Sequence, residues 1–389
     1  MDETWQTRVL HDAVTLPEGY RSLATPVYRG STTLFESAAS LNDHWDQYRS
    51  GYTYGLYGTP TTLELAARVC GLEKGTRTIV VPGGQAAIAL VSLALLSAGE
   101  HVLLPSSIYG PNRELTVSTL ARFGVESTFY DPEIGAGLAA LFRSGTRLVW
   151  TESPGSVTME VQDVPAIAAV ARAREIPVAL DNTWAAGVYF DAFAHGVDVS
   201  VQALTKYVGG HSDVLLGSVT VRDESLLERL GAAQKALGYG ASPDDCSLAL
   251  RGLQTLGVRL EYVERSALEI ARRLAERPEI ERVLHPALPS CPGHGVWRRD
   301  FTGSSGVFSI VFASEFSRER VLRFVDALEL FEIGYSWAGP VSLAVPIVVQ
   351  TPGRPPYGHR LVRFSIGLES TKDLIADLER ALCVCEAVR

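Results

Sequence analysis

The sequence predicts an α/β protein in which a large, mostly parallel sheet covered by helices on both faces precedes a smaller α+β domain. Two patterns predict this class. From about residue 61, short continuous apolar segments alternate with helical patterns, which is typical of strands buried between two helical layers. After about Gly240, long amphipathic stretches are set against few strands. The length of 389 residues agrees with about two to three domains.

The first 60 residues are rich in Thr, Ser, Tyr and Gly without sustained periodicity. We predict an irregular N-terminal arm there, folded over the domain or reaching toward a partner. The domain that contains the large sheet is predicted to span 61–243. Its strands are predicted at 78–81, 101–104, 147–150, 177–180, 197–204 and 217–221, and its helices at 62–70, 86–98 and 164–174.

The C-terminal domain is predicted to span 244–389 and to begin with a long amphipathic helix. After that helix the pattern predicts two strands, one further helix between them and a helix that ends the chain. These segments are 244–276, 306–313, 319–331, 361–366 and a last helix from about Ser370.

Composition excludes several classes of function. A formal net charge of −9 argues against non-specific binding of nucleic acid or anionic membrane. The longest apolar run, 86–98, is too short to span a bilayer, and the first residues do not resemble a secretion signal. The five cysteines are scattered, so neither a disulfide framework nor a metal site at Cys383 and Cys385 is expected. These features predict a cytoplasmic protein without a metal.

Ligands of such sheets bind beyond the carboxyl ends of the strands, so the residues after each strand matter most. The first strand is followed by Gly83 and Gly84 at the start of a helix, where backbone amides suit a phosphate. Two glycines there can also simply make the turn. No G-x-G-x-x-G fingerprint stands at this position, which argues against a dinucleotide.

Two further strands end in groups that ionise. Asp181 follows the strand 177–180, and Lys206 follows the strand 197–204. Only four of the 35 basic residues are lysines, and burial at a strand end would favour the free amine of Lys206. A helix cap for Asp181 and a solvent-seeking Lys206 are the structural alternatives. Together, a phosphate cradle, an acid and an amine suit pyridoxal phosphate.

The segments that contain these residues resemble the Cys/Met-metabolism family of pyridoxal phosphate enzymes, and most closely its bacterial cystathionine β-lyases. The matching motifs are at 54–59, 152–161, 181–187, 205–213, 251–260, 285–289, 299–306, 335–337 and 363–369. The resemblance implies the aspartate aminotransferase-like transferase fold of type I, with a seven-stranded sheet. It also implies a homotetramer built as a dimer of dimers with shared active sites.

The resemblance assigns roles to individual residues. Lys206 would be the Schiff-base lysine and would move the Cα proton, and Asp181 would pair with the ring nitrogen of the cofactor. Tyr109 would stack on the ring and assist proton transfer. The phosphate would be held by the amides of Gly84 and Gln85, the hydroxyl of Thr205 and the Tyr54 of a neighbouring subunit. The substrate would contact Arg363, Ser336, Trp337 and Tyr109, with Arg363 binding its α-carboxylate.

Three positions depart from the family pattern. Leu56 stands where the family has an arginine of the phosphate clamp, and we predict that Tyr57 or Arg49 takes over part of its role. Ala203 replaces a common serine. Val341 replaces an acid at the substrate entrance.

The implied reaction is β-elimination from L-cystathionine to homocysteine, pyruvate and ammonia. Another carbon–sulfur lyase, or a γ-elimination or γ-replacement on a cysteine- or homoserine-derived substrate, is the alternative within enzymes. A regulator that keeps the fold without catalysis is the alternative outside them, although the set Lys206, Asp181, Tyr109 and Arg363 argues against it. His211 is expected to hold the loop after Lys206 rather than to act as a base.

Overall fold

A seven-stranded sheet organises the larger part of the chain. The structure is a computed structural model that describes residues 4–11, 22–349 and 357–386. The strands of this sheet are β1 (Arg77–Val81), β2 (His101–Pro105), β3 (Glu126–Tyr130), β4 (Thr146–Glu152), β5 (Val178–Asp181), β6 (Val199–Gln202) and β7 (Gly217–Val221). Their spatial order is β1-β7-β6-β5-β4-β2-β3. Only β7 is antiparallel to its neighbours, so the predicted mostly parallel sheet is confirmed.

Helices cover both faces of this sheet, and further helices accompany the second part of the chain. They are α1 (Trp5–His11), α2 (Gln47–Ser50), α3 (Pro60–Glu73), α4 (Gly84–Leu95), α5 (Gly110–Glu114), α6 (Val164–Arg172), α7 (Glu224–Leu237), α8 (Pro243–Gln254), α9 (Leu256–Ala275), α10 (His294–Asp300), α11 (Arg318–Asp326) and α12 (Thr371–Glu386). Each of the helices in the described ranges is too short or too polar to cross a lipid bilayer.

A second, smaller sheet is entirely antiparallel. Its strands are β8 (Ile280–Leu284), β9 (Val307–Phe312), β10 (Leu343–Val349) and β11 (Gly358–Ser365), in the order β10-β11-β9-β8. One hydrophobic core joins the two sheets, and in it the Trp184 indole N–H donates to the Val307 carbonyl at 3.0 Å. The two parts are therefore packed together rather than linked loosely, and the candidate site lies between them.

Three of the observed strands were not predicted from the sequence, and two predicted elements are shorter than expected. The strands at 126–130, 280–284 and 343–349 were not predicted. The first of them is largely polar and only part-buried along an edge of the sheet, so it lacks the pattern of a buried strand. The strand predicted at 197–204 covers only Val199–Gln202. The predicted helix 244–276 is interrupted at Thr255, whose hydroxyl accepts a bond from Arg259 while the same guanidinium donates to the Gly252 carbonyl.

The predicted arm contains more local structure than its composition indicated. The short helices α1 and α2 lie within it, and residues 1–3 and 12–21 are outside the described ranges. The predicted domain boundaries after residues 60 and 243 stay predictions, and they fall at the beginnings of α3 and α8.

Candidate active site

A cavity of about 470 Å³ opens between the two sheets, at the carboxyl ends of the parallel strands. It brings together residues that are far apart in the sequence, as expected for a ligand site of a doubly wound sheet. Of the ten residues predicted for the site, nine line it: Gly84, Gln85, Tyr109, Asp181, Thr205, Lys206, Ser336, Trp337 and Arg363. The tenth, Tyr54, does not.

Lys206 stands in the tight turn that follows β6. Its backbone N–H donates to the Ala203 carbonyl at 3.0 Å, and its own carbonyl accepts from Gly210 at 2.7 Å. Its amine donates to the Ser336 hydroxyl and lies 5.2 Å from the centre of the Trp337 ring. Burial, with a contribution from the nearby Arg363, lowers the pKa of Lys206 to about 8. The amine is therefore much easier to deprotonate than an exposed lysine.

Asp181 is the last residue of β5. The backbone N–H and the hydroxyl of Thr183 both donate to its Oδ1, and the same hydroxyl accepts the Ala203 N–H at 2.9 Å. Thr183 thereby connects the acid to the turn that leads to Lys206. Burial raises the pKa of Asp181. A buried carboxylate at this position favours a cationic ligand atom, which would compensate its charge.

The start of α4, where the sequence predicts a phosphate cradle, lines the cavity. The first amides of a helix have no acceptor within the helix, and Gly83 and Gly84 leave them open to the cavity. A Cβ at Gly84 would lie only 2.6 Å from the Cβ of Ala203, so glycine is needed for the close approach of α4 to the turn after β6. The Thr205 hydroxyl lies nearby and is bonded to the Leu216 backbone.

Tyr109 and Glu152 are hydrogen-bonded to each other in the lining of the cavity. The Tyr109 backbone N–H donates to Glu152 Oε2 at 2.6 Å, and this bond fixes the backbone of Tyr109. The ring of Tyr109 is partly exposed to the cavity. Burial is the main cause that raises the pKa of Tyr109, and Asp181 and Glu152 add to it. The Tyr109 hydroxyl is therefore protonated near neutral pH.

Arg363, on β11, brings a cation into the cavity from the smaller sheet. Its Nη2 donates to the Ser336 carbonyl at 2.8 Å, whereas its buried Nε has no hydrogen-bond partner among the described residues. Burial lowers its pKa. A buried guanidinium with an unused donor is suited to a carboxylate ligand.

The residues expected to replace the missing clamp arginine have other partners. The Tyr57 hydroxyl donates to Asp43 at 2.9 Å, and Arg49 forms ion pairs with Glu224 and Glu228. Neither side chain lines the cavity. Both side chains therefore lie outside the cavity of their own chain, and the prediction that Tyr57 or Arg49 takes over part of the role lost at Leu56, in the cavity of a neighbouring subunit, stays a prediction.

Other singled-out residues also lie away from the cavity. The ring of His211 bonds to the Gly209 carbonyl at 2.7 Å, within the turn after Lys206. Val341 is about half exposed, and the nearby Glu369 is bonded to the backbone and hydroxyl of Ser342. In the described ranges no cluster of His, Cys, Asp or Glu could hold a metal ion, Cys383 and Cys385 included.

Several lining residues were not assigned a role from the sequence. Glu152, Val157 and Met159 belong to the motif at 152–161, so that motif was the signal that could have indicated them. Leu215 stands exposed at the rim and carries no such signal. Val157 and Met159 both have positive φ angles, of 73° and 60°, which shape this wall of the cavity.

The groups in the cavity fit pyridoxal phosphate. The cradle at Gly84 suits the phosphate, the buried Asp181 suits the protonated ring nitrogen, and the low-pKa amine of Lys206 suits the aldehyde carbon. The fold and this cavity define a pyridoxal phosphate-dependent enzyme of fold type I.

Comparison with known proteins gives the same class. The model of the family described as "Cys/Met metabolism PLP-dependent enzyme" matches residues 6–383, and the chain belongs to that family. A putative cystathionine β-lyase of Rhizobium johnstonii is 47% identical over 93% of this chain and 92% of its own length. Cystathionine β-lyase MetC of Escherichia coli is 40% identical over 91% of each chain. The chain is thus a carbon–sulfur lyase of this family.

The chain is also similar to a solved structure and to two less similar relatives. The crystal structure of metB from Corynebacterium glutamicum superposes with a TM-score of 0.91, at 30% identity and 98% coverage of both chains. An L-alanine/L-glutamate racemase of Wolbachia pipientis is 36% identical over 93% of this chain and 92% of its own length. A cystathionine γ-lyase of Dictyostelium discoideum is 30% identical over 97% of each chain.

Proposed function

We propose that this enzyme cleaves L-cystathionine by β-elimination, with water, to homocysteine, pyruvate and ammonia. The observation that carries the proposal is the cavity itself, in which the Lys206 amine and the Arg363 guanidinium meet at Ser336. The similarity to proteins named cystathionine β-lyase supports the choice of substrate.

Arg363 binds and orients the substrate. Its unpartnered Nε, together with the rest of the guanidinium, receives the α-carboxylate in a forked pair of hydrogen bonds. Ser336 and Trp337 border the same region, so they limit where the sulfur side of the substrate extends. This placement brings the Cα proton toward the amine of Lys206.

Lys206 moves the proton. Asp181, Tyr109, Thr205 and the cradle at Gly84 and Gln85 would hold pyridoxal phosphate, which would supply an electron sink at Cα. The Lys206 amine takes the proton from Cα, and the departing homocysteine sulfur receives a proton from Lys206 or from the Tyr109 hydroxyl. Burial keeps the Lys206 amine available as a base near neutral pH.

A Lys206→Ala variant tests this assignment. Proton transfer by a positioned group contributes about 10²–10⁴ in rate, so pyruvate formation from L-cystathionine is expected to fall by at least that factor. The protein is expected to remain folded, which circular dichroism checks. Substantial pyruvate formation by the folded variant would overturn the role of Lys206.

A second candidate function is a different carbon–sulfur lyase activity, or γ-elimination or γ-replacement, on another cysteine- or homoserine-derived substrate. The similarity to a protein named cystathionine γ-lyase favours it. Product analysis separates the candidates, because β-elimination gives pyruvate, γ-elimination gives 2-oxobutyrate and replacement gives a new thioether.

We also propose that the working unit is a homotetramer, a dimer of dimers in which Tyr54 serves the cavity of a neighbouring subunit. Tyr54 is about half exposed and lies outside the cavity of its own chain, which suits a contact with another copy. Co-expression of Tyr54→Phe and Lys206→Ala chains tests the sharing, since mixed dimers would regain one intact site. Light scattering tests the tetramer.

The proposed location is the cytoplasm. All five cysteines are free thiols, which suits a reducing compartment. Fractionation of the source cells, with detection of the protein by antibody, tests this location.

A further inference from the structure

Behind the cavity, a buried carboxylate contacts both the residue that follows Asp181 and the strand that leads to Lys206. Glu73 is the last residue of α3, and its side chain is 3% exposed. Its Oε1 accepts hydrogen bonds from the Ser200 hydroxyl and the Gln202 amide, both at 2.8 Å, and a long one of 3.5 Å from the Asn182 amide. None of these partners is a cation, so Glu73 is not half of an ordinary buried ion pair.

The partners of Glu73 are next to the cofactor-binding residues in sequence. Asn182 directly follows Asp181 at the end of β5. Gln202 ends β6 and begins the short connection through Ala203 to Lys206. Since side chains alternate along an extended chain, Asp181 faces the cavity while Asn182 points behind it.

The two strand ends are therefore connected on both sides. On the cavity side, the Thr183 hydroxyl joins Asp181 to the Ala203 N–H. On the far side, Glu73 joins Asn182 to Gln202. The loop after Asp181 also packs on this connection, because a Cβ at Gly187 would lie 2.5 Å from Gln202 Nε2 and 2.9 Å from Glu73 Cγ.

The end of α3 is itself held in place. The amine of Lys74, the residue after Glu73, forms an ion pair of 2.7 Å with Asp191, and its carbonyl accepts from Arg222 at 2.9 Å. Glu73 thus acts from a helix end that has its own contacts outside β5 and β6.

We propose that Glu73 is a positioning residue, which sets the relative placement of Asp181 and Lys206 around the cofactor. It touches neither substrate nor cofactor and acts through Asn182 and Gln202. The proposal rests on the roles proposed above for Asp181 and Lys206.

The geometry also indicates which property of Glu73 is needed. Oε1 takes all three hydrogen bonds, whereas Oε2 has no hydrogen-bond partner among the described residues. A glutamine can place its carbonyl oxygen at Oε1 and its amide nitrogen at Oε2. Glu73→Gln therefore conserves the connection, and Glu73→Met removes the acceptor at nearly constant length.

The test compares these variants as holoenzymes with a matched control. Glu64 is also a buried carboxylate on α3, but it pairs with Arg68, and neither residue lines the cavity. Glu64→Met is expected to lower thermal stability and to leave kcat, cofactor affinity and the pH midpoint of the visible absorbance unchanged. Glu73→Met is expected to weaken cofactor binding, shift that midpoint and lower kcat about tenfold or more, because small misplacements of reacting groups are costly.

Rescue completes the experiment. Glu73→Gln is expected to return all three properties close to those of the wild type. If Glu73→Met behaves like Glu64→Met, with a loss of thermal stability alone, the proposal is overturned. If Glu73→Met does not fold, Gln202→Met removes only the bond to the residue that leads to Lys206 and leaves the bonds from Ser200 and Asn182. It is expected to show a smaller shift in the same direction, and a folded Gln202→Met with wild-type values also overturns the proposal. A wild-type protein without cofactor absorbance would instead contradict the proposed function.

Discussion

The amine of Lys206 donates a hydrogen bond to the hydroxyl of Ser336, and this bond crosses from the larger sheet region to the smaller one. Ser336 has a φ angle of 75°, which is rare for a residue other than glycine. Its carbonyl accepts from Arg363, so the same residue contacts both the proposed base and the proposed carboxylate receptor. The site is therefore assembled by the packing of the two sheets on each other.

The low pKa of Lys206 predicts how the protein without cofactor takes it up. The neutral amine reacts with the aldehyde of pyridoxal phosphate, and burial shifts the amine's pKa down to about 8 from its usual 10.5. The rate of appearance of visible absorbance after mixing is therefore expected to rise with pH to a midpoint near 8, as measured by stopped flow. A midpoint near that of an exposed lysine would contradict the burial of this amine.

Substitution of Arg363 provides a second test of the pKa of Lys206. Its charge is one of the causes that lower the pKa of Lys206. An Arg363→Met variant is expected to raise the midpoint of cofactor uptake, because the ammonium form of Lys206 is then less disfavoured. An unchanged midpoint would mean that burial alone sets the pKa.

Substrate binding should depend on the forked geometry of Arg363. Hydrogen bonds to charged groups contribute about 1.5–3 kcal/mol, so Arg363→Met is expected to reduce kcat/KM for L-cystathionine by roughly 10- to 100-fold. Arg363→Lys keeps the charge but cannot form the fork, and we expect it to recover only part of the loss. Steady-state kinetics with pyruvate detection measures both, and full activity of the lysine variant would contradict the forked contact.

The cradle at the start of α4 should be intolerant of a single methyl group. Gly84→Ala would force a Cβ to within 2.6 Å of the Ala203 Cβ, and overpacking of this kind costs about 1–3 kcal/mol. The affinity for pyridoxal phosphate is expected to fall, as measured by fluorescence titration. Gly295→Ala is the control, since a Cβ there would meet no atom within 4 Å, and equal affinities of the two variants would contradict the cradle.

Most of the candidate site was predictable because its residues follow strands. In a sheet whose central strands are parallel, the residues after successive strands meet at one edge, and this placed Gly84, Asp181 and Lys206 together. Arg363, Ser336 and Trp337 came from the family motifs, because no local pattern connects the second sheet to this edge. The structure places all six around one cavity.

Other features depend on packing that the sequence does not display. In the sequence, Glu73 has the pattern of an ordinary polar residue at a helix end. Only the fold buries it against the ends of β5 and β6. The strand at 126–130 is polar because it forms an edge of the sheet, so its pattern resembles that of a loop. The partners of Arg49, Glu224 and Glu228, lie far along the chain, and sequence proximity to Leu56 could not indicate them.

The visible spectrum of the purified protein, recorded before and after L-cystathionine is added and combined with analysis of the products, tests the proposed function most directly. We predict a yellow protein whose absorbance changes on addition of the substrate, with equal amounts of pyruvate and homocysteine formed. A yellow protein that leaves L-cystathionine intact would contradict the proposed substrate. A protein that stays colourless after addition of pyridoxal phosphate would contradict the assignment of the cavity itself.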